Sequence, residues 1–392
     1  MKYLRIGTEY YKKIRKPLPS GGFSNELVRW KKSELITDEG KDSLDKIEKY
    51  DGFICIPSHT SYKQTVGGFY NKYHKVEHKF IPGEFNTITY FLKHIFGEHY
   101  DIALDYLTIL WKYPKQTLPI VCLVSNERNT GKSTFLNFLK LIFQENLTIN
   151  TNDDFRGRFN SDWGFKTLIC IDEVLLEKRE DSERLKHLST AKSYKVESKG
   201  IDKIEIPFYG KFILCTNNED SFISIEEEEI RYWVIKVHPF KKENPELFAI
   251  LESELKHFMY FLDNRKIKSK KKSRMWFSAE EIHTEALETL KSGNENSVVR
   301  EIKQLLSEEF QKFEVEEIKY TASDLVKKLQ DVNFRATSSR VAYILKKYFK
   351  LIPINSSYKK YYLSISSTEN EILETTNVKG RYYTFYQNDF LN

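Results

Sequence analysis

The stretch from Leu118 to Leu139, LPIVCLVSNERNTGKSTFLNFL, constrains this chain more than any other. Behind Pro119, Ile120 to Val124 is an unbroken apolar run of mostly branched side chains, which predicts a buried strand. A polar loop, Ser125 to Thr130, follows. Gly131-Lys132-Ser133-Thr134 then opens a segment in which Phe135, Leu136, Phe138, Leu139, Leu141 and Ile142 recur at helical spacing. Strand, loop, GK[ST] and helix together make a phosphate cradle. Loop amides and the helix N-terminus are unsatisfied donors that face an anion. Gly131 lets the backbone come close, Lys132 reaches the outer phosphates, and the Ser133 hydroxyl ligates Mg²⁺. Thr130 and Thr134 flank that set. The pattern G-x-x-x-x-G-K-[ST] asks for glycine at 126, where this chain has Asn126. Asparagine tolerates φ > 0, so the turn is expected to be kept there.

A bare GK[ST] arises by chance in roughly one chain of this length in five, so the downstream motifs decide the matter. Leu147 to Thr151 predicts a second strand. Lys166 to Val174, KTLICIDEV, predicts an apolar strand ending in two acids. Beside the first strand in a parallel sheet, its C-terminal end meets the phosphates. Asp172 is then placed to hold Mg²⁺ through water and Glu173 to polarise the attacking water. A helix over Ser182 to Lys192 precedes a period-two alternation on both sides of Lys199-Gly200, a hairpin signal that also carries Lys203. Gly210 to Asn218 predicts a further strand ending in amides, where Asn217 can bond the lytic water or the γ-phosphate. Arg231 opens the strand Ile230 to Ile235 behind the acidic run Glu226 to Glu229. It either pairs with that run or serves as an arginine finger for a neighbouring subunit.

Ahead of the cradle, residues 1–85 give few signals beyond Pro and Gly breaks and short strand-like pieces. His74, Glu77 and His78 match H-x-x-E-H but lie between glycine pairs and Pro82-Gly83, which favours loop and strand over a zinc helix. Asn86-Thr87 is expected to cap a helix ending at Gly97, and a second helix spans Asp101 to Lys112. Both belong to an expected lid or collar, residues 86–117, on a nucleotide domain of residues 86–265. A helix over Asn244 to Arg265 leads to the basic run Lys266 to Arg274. A linker is expected at residues 266–298, with a second soft joint at Ser292 to Ser297.

Residues 299–392 predict a separate small domain. Thr321 to Gln330 is a capped helix, Asn333 a turn, and Thr337 to Phe349 a second helix. Ile352 to Ile365, with Ser356-Ser357 in its middle, predicts a two-stranded wing. Nine Lys/Arg against one acid fall between Val326 and Leu363, which favours phosphate contact by Arg340, Lys346 and Lys347. The whole chain carries only +6, so any nucleic-acid surface must be local. Four cysteines without CxxC spacing predict a reducing cytoplasm. No membrane partner is expected. No apolar run reaches the length of a membrane span, and the first residues lack a signal peptide's apolar core.

The order LVSNERNTGKST, LICIDE, Lys-Gly hairpin, FILCTNN and EIRYW resembles superfamily 3 helicases, in the branch of phage, plasmid and large DNA virus primase–helicases. The resemblance covers about Asn86 to Arg265. It implies an α/β fold: a P-loop AAA+ ATPase core with a small N-terminal α+β region and a C-terminal winged-helix domain. It implies ATP and Mg²⁺ as cofactors, held by Lys132, Ser133 and Asp172, with Glu173 as the water acid and Asn217 as sensor. Arg231 becomes the trans finger, and Lys199 the residue that grips single-stranded or forked DNA in the pore of a ring homo-oligomer, usually a hexamer. About 85 residues in front are too few for a primase catalytic domain, so priming is expected to fall to a separate primase or polymerase. The expected activity is an ATP-dependent replicative DNA helicase of a phage or mobile element. Two alternatives stand beside it: a ring ATPase that loads, packages or signals on DNA without unwinding, and an initiator that binds an origin through the winged helix.

Overall fold

A computed structural model describes residues 2–17, 23–176, 178–198, 201–225, 229–365 and 371–390. The chain divides into two compact units, Met1–Leu287 and Glu288–Asn392.

The first unit begins with a small α+β portion. Strands β1 (Tyr3–Ile6), β2 (Glu9–Pro17), β3 (Phe23–Trp30) and β4 (Glu48–Tyr50) form a sheet in the order β3-β2-β1-β4, with short helices α1 (Lys32–Glu39) and α2 (Ser43–Lys46) between β3 and β4. Strands β5 (Phe53–Ile54), β6 (Thr65–Val66) and β7 (Phe69–Asn71) form a smaller sheet. Residues around His74, Glu77 and His78 are irregular. His78 bonds the Ile142 carbonyl at 2.6 Å, and no metal-holding cluster exists among the described residues.

Helices α3 (Asn86–Phe96) and α4 (Tyr100–Lys112) fall where the spacing of apolar residues places them. Every residue of α4 from Ala103 to Trp111 is buried, and both helices share one apolar cluster with the central sheet, so they pack as part of the core. Neither Asn86 nor Thr87 caps α3. Its first amides, Thr87 and Ile88, donate instead to the Glu254 carboxylate at 3.2 and 2.9 Å.

The central sheet has five strands: β8 (Ile120–Val124), β9 (Leu147–Asn150), β10 (Leu168–Ile171), β13 (Lys211–Thr216) and β14 (Tyr232–Lys236). Their order is β14-β8-β13-β10-β9, and every pairing is parallel. Burial on both faces explains the unbroken apolar runs in β8, β10 and β13. Helices α5 (Lys132–Phe143), α6 (Asn152–Arg156), α7 (Arg179–Thr190) and α8 (Leu247–Asn264) connect or follow these strands. The antiparallel pair β11 (Ser193–Ser198) and β12 (Ile201–Pro207) stands outside the sheet as the expected hairpin, and its tip, Lys199-Gly200, lies outside the described residues.

The basic run after α8 is not a free linker. Buried Asp105 of α4 pairs with Arg265 and accepts from the amides of Lys268 and Ser269 at 3.1 and 2.6 Å. Gln116 donates to the Arg274 carbonyl at 2.9 Å.

Most of α9 (Glu285–Phe313) belongs to the second unit, and it runs unbroken through Ser292 to Ser297, where a joint was expected. Leu290, Asn294, Val298 and Ile302, four residues apart on one face, are all buried, and that burial overrides the local Ser/Gly/Asn composition. Then come β15 (Glu317–Thr321), α10 (Ala322–Asp331), α11 (Ser338–Lys347), β16 (Ile354–Ile365) and β17 (Glu371–Tyr386), with an antiparallel sheet β15-β17-β16. Thr321 and Asp324 form a capping box on α10, and Asn333, at φ 61°, makes the turn to α11. Ser356-Ser357 is not a wing tip. β16 is one continuous strand, with Ser356 opposite Gly380 and Ser357 opposite Lys379. Serine tolerates an exposed strand position, so composition there misleads.

Candidate active site

The loop from Ser125 to Thr130 leaves the C-terminal end of β8 and enters α5 through Gly131, whose φ of 88° lies in the left-handed region. A side chain at 131 would be strained there, and its Cβ would sit 2.8 Å from the Phe240 ring. The second left-handed residue is Asn129, at φ 56°, not Asn126. Asn126 is anchored differently. Its amide donates to the Glu219 carboxylate at 2.9 Å, and Glu219 also takes the Lys236 ammonium at 2.8 Å. Burial opposes the Glu219 charge, but Lys236 and the Asn126 amide together hold its carboxyl below the usual range.

From behind, the loop is braced by rings. His94 of α3 donates to the Thr130 carbonyl at 3.0 Å and stacks on Phe240, with centroids 4.0 Å apart. The Phe240 amide in turn bonds the Asn129 carbonyl at 3.2 Å. Burial drives the His94 pKa down, so the ring stays neutral at physiological pH.

Lys132 is the odd group in this frame. It is buried, and its ammonium donates to Thr130 Oγ1 at 3.1 Å. Among the described residues no carboxylate lies within ion-pair distance of it. Burial lowers its pKa, with the more distant charges of Asp172 and Glu219 working the other way. A buried cation without a counter-ion is costly unless an anion arrives.

Ser133 and Asp172 meet across the sheet. The Ser133 hydroxyl donates to Asp172 Oδ2 at 2.8 Å, and Asp172 Oδ1 takes the Glu173 amide at 3.1 Å. Glu173 is exposed, with φ at 54°, and the loop carrying it is pinned by Asn152: Asn152 Nδ2 donates to the Glu173 carbonyl, and Asn152 Oδ1 accepts from the Leu175 amide, both at 3.0 Å. Non-glycine residues rarely take that conformation. Asn217 follows β13, the strand between β8 and β10, and is exposed there. Its neighbour Asn218 is consumed by the turn it makes with Ser221. Thr134 sits one residue further into α5, half-buried. One edge of the sheet thus gathers Asn126, Thr130, Gly131, Lys132, Ser133, Thr134, Asp172, Glu173 and Asn217.

Arg231 is not among them. Tyr232 pairs with Ile120 and Lys236 with Val124, so Arg231 lies at the N-terminal edge of the parallel sheet. It is separated from its own chain's loop by the length of β8, about 16 Å. Its guanidinium is gripped by Glu229 at 2.9 and 2.8 Å, while its buried Nε has no partner among the described residues. The pairing with the acidic run is therefore present. Of the hairpin lysines, Lys203 pairs with Glu197 at 3.0 Å, and Lys199 lies outside the described residues. In the second unit, Arg340 opens α11, where its amide bonds the Thr337 cap. Lys346 and Lys347 are exposed at the other end, Lys347 lying 5.0 Å from the Tyr343 ring. Four residues that build the active edge were missed in the sequence: His94, Asn152, Glu219 and Phe240. Only Glu219, next to the strand-ending amides, left a local signal.

Residues 123–231 match the model of a family of unknown function, DUF5906. Over 147 residues the chain is 25% identical to a DNA primase-polymerase of Nitratiruptor phage NrS-1. That similarity takes in 36% of this chain and 20% of the phage protein, so it spans about a fifth of the relative's length. The fold is similar to an apo structure of the C-terminal region of NrS-1, at a TM-score of 0.60 and 14% identity, covering 97% of this chain and 95% of that one. A second apo structure of the same region aligns at 0.57 and 14% identity, with 96% and 94% covered. This chain therefore shares the mixed α/β fold with its parallel sheet. No helix among the described residues is long and apolar enough to cross a membrane.

Proposed function

We propose that the chain is an ATP-driven motor of phage-type DNA replication, a ring-forming helicase of the superfamily 3, AAA+ kind. One observation carries the reading. The Ser133 hydroxyl and the Asp172 carboxylate share a 2.8 Å bond beside a buried lysine that has no carboxylate partner among the described residues, at the mouth of a loop that ends on a left-handed glycine. That donor set fits Mg·ATP. Lys132 supplies the charge for the outer phosphates, while Ser133 and Asp172 supply hard oxygen ligands suited to Mg²⁺. Bound Mg²⁺ would offset the charge that develops on the transferred phosphoryl group. Glu173 is placed to orient and deprotonate the attacking water, and Asn217 to bond it or the γ-phosphate.

The position of Arg231 favours catalysis between subunits. It cannot reach its own loop, so a role as finger requires a second copy whose loop lies against this edge. Lys199 and Lys203 remain the proposed pore contacts. In the second unit, the order β15, α10, α11 and the long β16-β17 pair fits a winged helix, with Arg340, Lys346 and Lys347 toward DNA phosphates. The similarity to a phage primase-polymerase favours replication over a packaging or signalling ATPase. The deciding experiment is strand displacement on a forked duplex with ATP and Mg²⁺. Unwinding by the native chain and none by Lys132→Ala supports the motor. ATP hydrolysis without displacement points to the loading alternative.

A further inference from the structure

A groove of about 680 Å³ opens in the first unit where the irregular segment after β5 faces the turn that leads from α4 into β8. It precedes β8, so it lies at the sheet edge away from Lys132 and Ser133. Lys63, Lys112, Lys115 and Lys271 line it, and no carboxylate does. Tyr113 and Trp276 form one wall, their rings 6.4 Å apart and inclined by 20°. In a chain with nearly balanced acids and bases, four lysines without an acid are a local departure that calls for an anionic occupant.

The wall is built with some care. Trp276 sits at φ 76°, a conformation that bulky residues avoid. It is kept there by a tight turn: its carbonyl takes the Lys272 amide at 2.7 Å, its amide bonds the Ser273 carbonyl at 3.1 Å, and its indole donates to Ser269 at 3.0 Å. Asp105 pins the start of that turn through Lys268 and Ser269. The basic run is thereby held as a fixed edge, with Lys268, Lys270 and Lys271 exposed. Tyr113 stands 53% exposed beside it, an aromatic face open to solvent. Lys63 and Lys115 are exposed and make no ion pair among the described residues.

We propose that this groove binds single-stranded nucleic acid, its lysines tracking the phosphates and Tyr113 stacking against a base. Unpaired charges along a track, joined to a rigid aromatic face, are what a sequence-tolerant strand site requires. An acidic peptide would use the lysines but would leave the ring face without a planar partner. The groove needs no nucleotide hydrolysis, and every residue that lines it belongs to the first unit. It gives a translocating strand a further hold on the first unit.

The test is fluorescence anisotropy of a labelled oligothymidylate with the full chain, without ATP, over a range of KCl concentrations. Replacing Lys63 and Lys115 together by Glu should weaken binding roughly tenfold at low salt and reduce the salt slope by about 1.4, two strand phosphates' worth. The double Lys→Arg variant should bind as the native chain does. Tyr113→Ala should weaken binding by about fivefold or more, and Tyr113→Phe should not. DNA-independent ATP hydrolysis should stay unchanged in all four. Unchanged affinity and slope in the Glu variant would overturn the proposal, as would displacement of the strand's hold by polyglutamate alone while competitor DNA has no effect. A chain that binds through this groove yet hydrolyses no ATP would sink the motor reading and leave this one standing.

Discussion

Ser133 donates its hydroxyl to Asp172 across 2.8 Å, tying the first turn of the helix after β8 to the end of β10, two strands away. On the proposed function both oxygens would be ligands of one Mg²⁺, and they should then act as a unit. Ser133→Ala and Asp172→Asn should each lower ATP hydrolysis by about 100-fold or more, and the double variant should be scarcely worse than either single one. Rates measured against Mg²⁺ concentration check this. Two small, multiplying losses would mean that the pair only joins the strand ends.

Lys132→Ala makes an unusual stability prediction. The native side chain is a buried cation without a counter-ion among the described residues, so its removal should leave the nucleotide-free protein as stable as before or slightly more so. On the proposed function ATP should raise the melting temperature of the native chain, and that rise should vanish in the variant along with hydrolysis. Thermal scans with and without Mg·ATP separate the two effects. A variant that is destabilised without nucleotide would show that Lys132 is a structural group.

Glu254 serves as the N-cap of a helix almost 170 residues before it, accepting from Thr87 and Ile88. Glu254→Ala should cost about 1–2 kcal/mol, and Glu254→Gln less, because the amide oxygen can still accept one bond. Urea denaturation gives the values. A loss in the alanine variant within experimental error would mean that water replaces the carboxylate freely.

Burial pulls the Lys211 ammonium down to about 7 and that of Lys72 to about 8. The unfolded chain keeps both near 10.5, so above pH 7 it holds more protons than the folded one. Stability should therefore rise with pH from about 7, a penalty that is present in full below that value and is relieved as the lysines lose their charge. Lys211 donates to the carbonyls of Tyr209 and Pro114, bonds that the neutral amine can keep in part. Lys211→Met should flatten the increase in melting temperature between pH 7 and 9. Parallel curves for variant and native chain would place the Lys211 pKa near its ordinary value.

The proposed phosphate edge was legible because such chemistry dictates residue types in a short span: a glycine, a lysine and a hydroxyl on a helix start, and acids at a strand end. Even the departure at Asn126 had a local cue, although the compensation comes from Glu219 rather than from φ at Asn126 itself. Residues that act from a distance were not legible. Asn152, His94 and Glu254 brace loops and helices far from them in sequence, and nothing local marks them. Periodicity located α9 poorly because its buried face carries Asn294 between Leu290 and Val298. The first 85 residues resisted because β5, β6 and β7, of two or three residues, are too short to show an alternation, and the longer β2 is half-buried or exposed along its whole length without one. The basic run after α8 read as a linker because its anchor, Asp105, sits in another helix.

The central claim is that two copies complete one active site, with Lys132 from one and Arg231 from the other. Mixing Lys132→Ala protein with Arg231→Ala protein tests it directly. Each variant alone should be nearly inactive, the finger being worth about a thousandfold or more. In an equal, freely exchanging mixture, about a quarter of the interfaces would join an intact lysine to an intact arginine, and ATP hydrolysis should recover to that order. A mixture as inactive as its components, although the two variants co-assemble, would contradict the account.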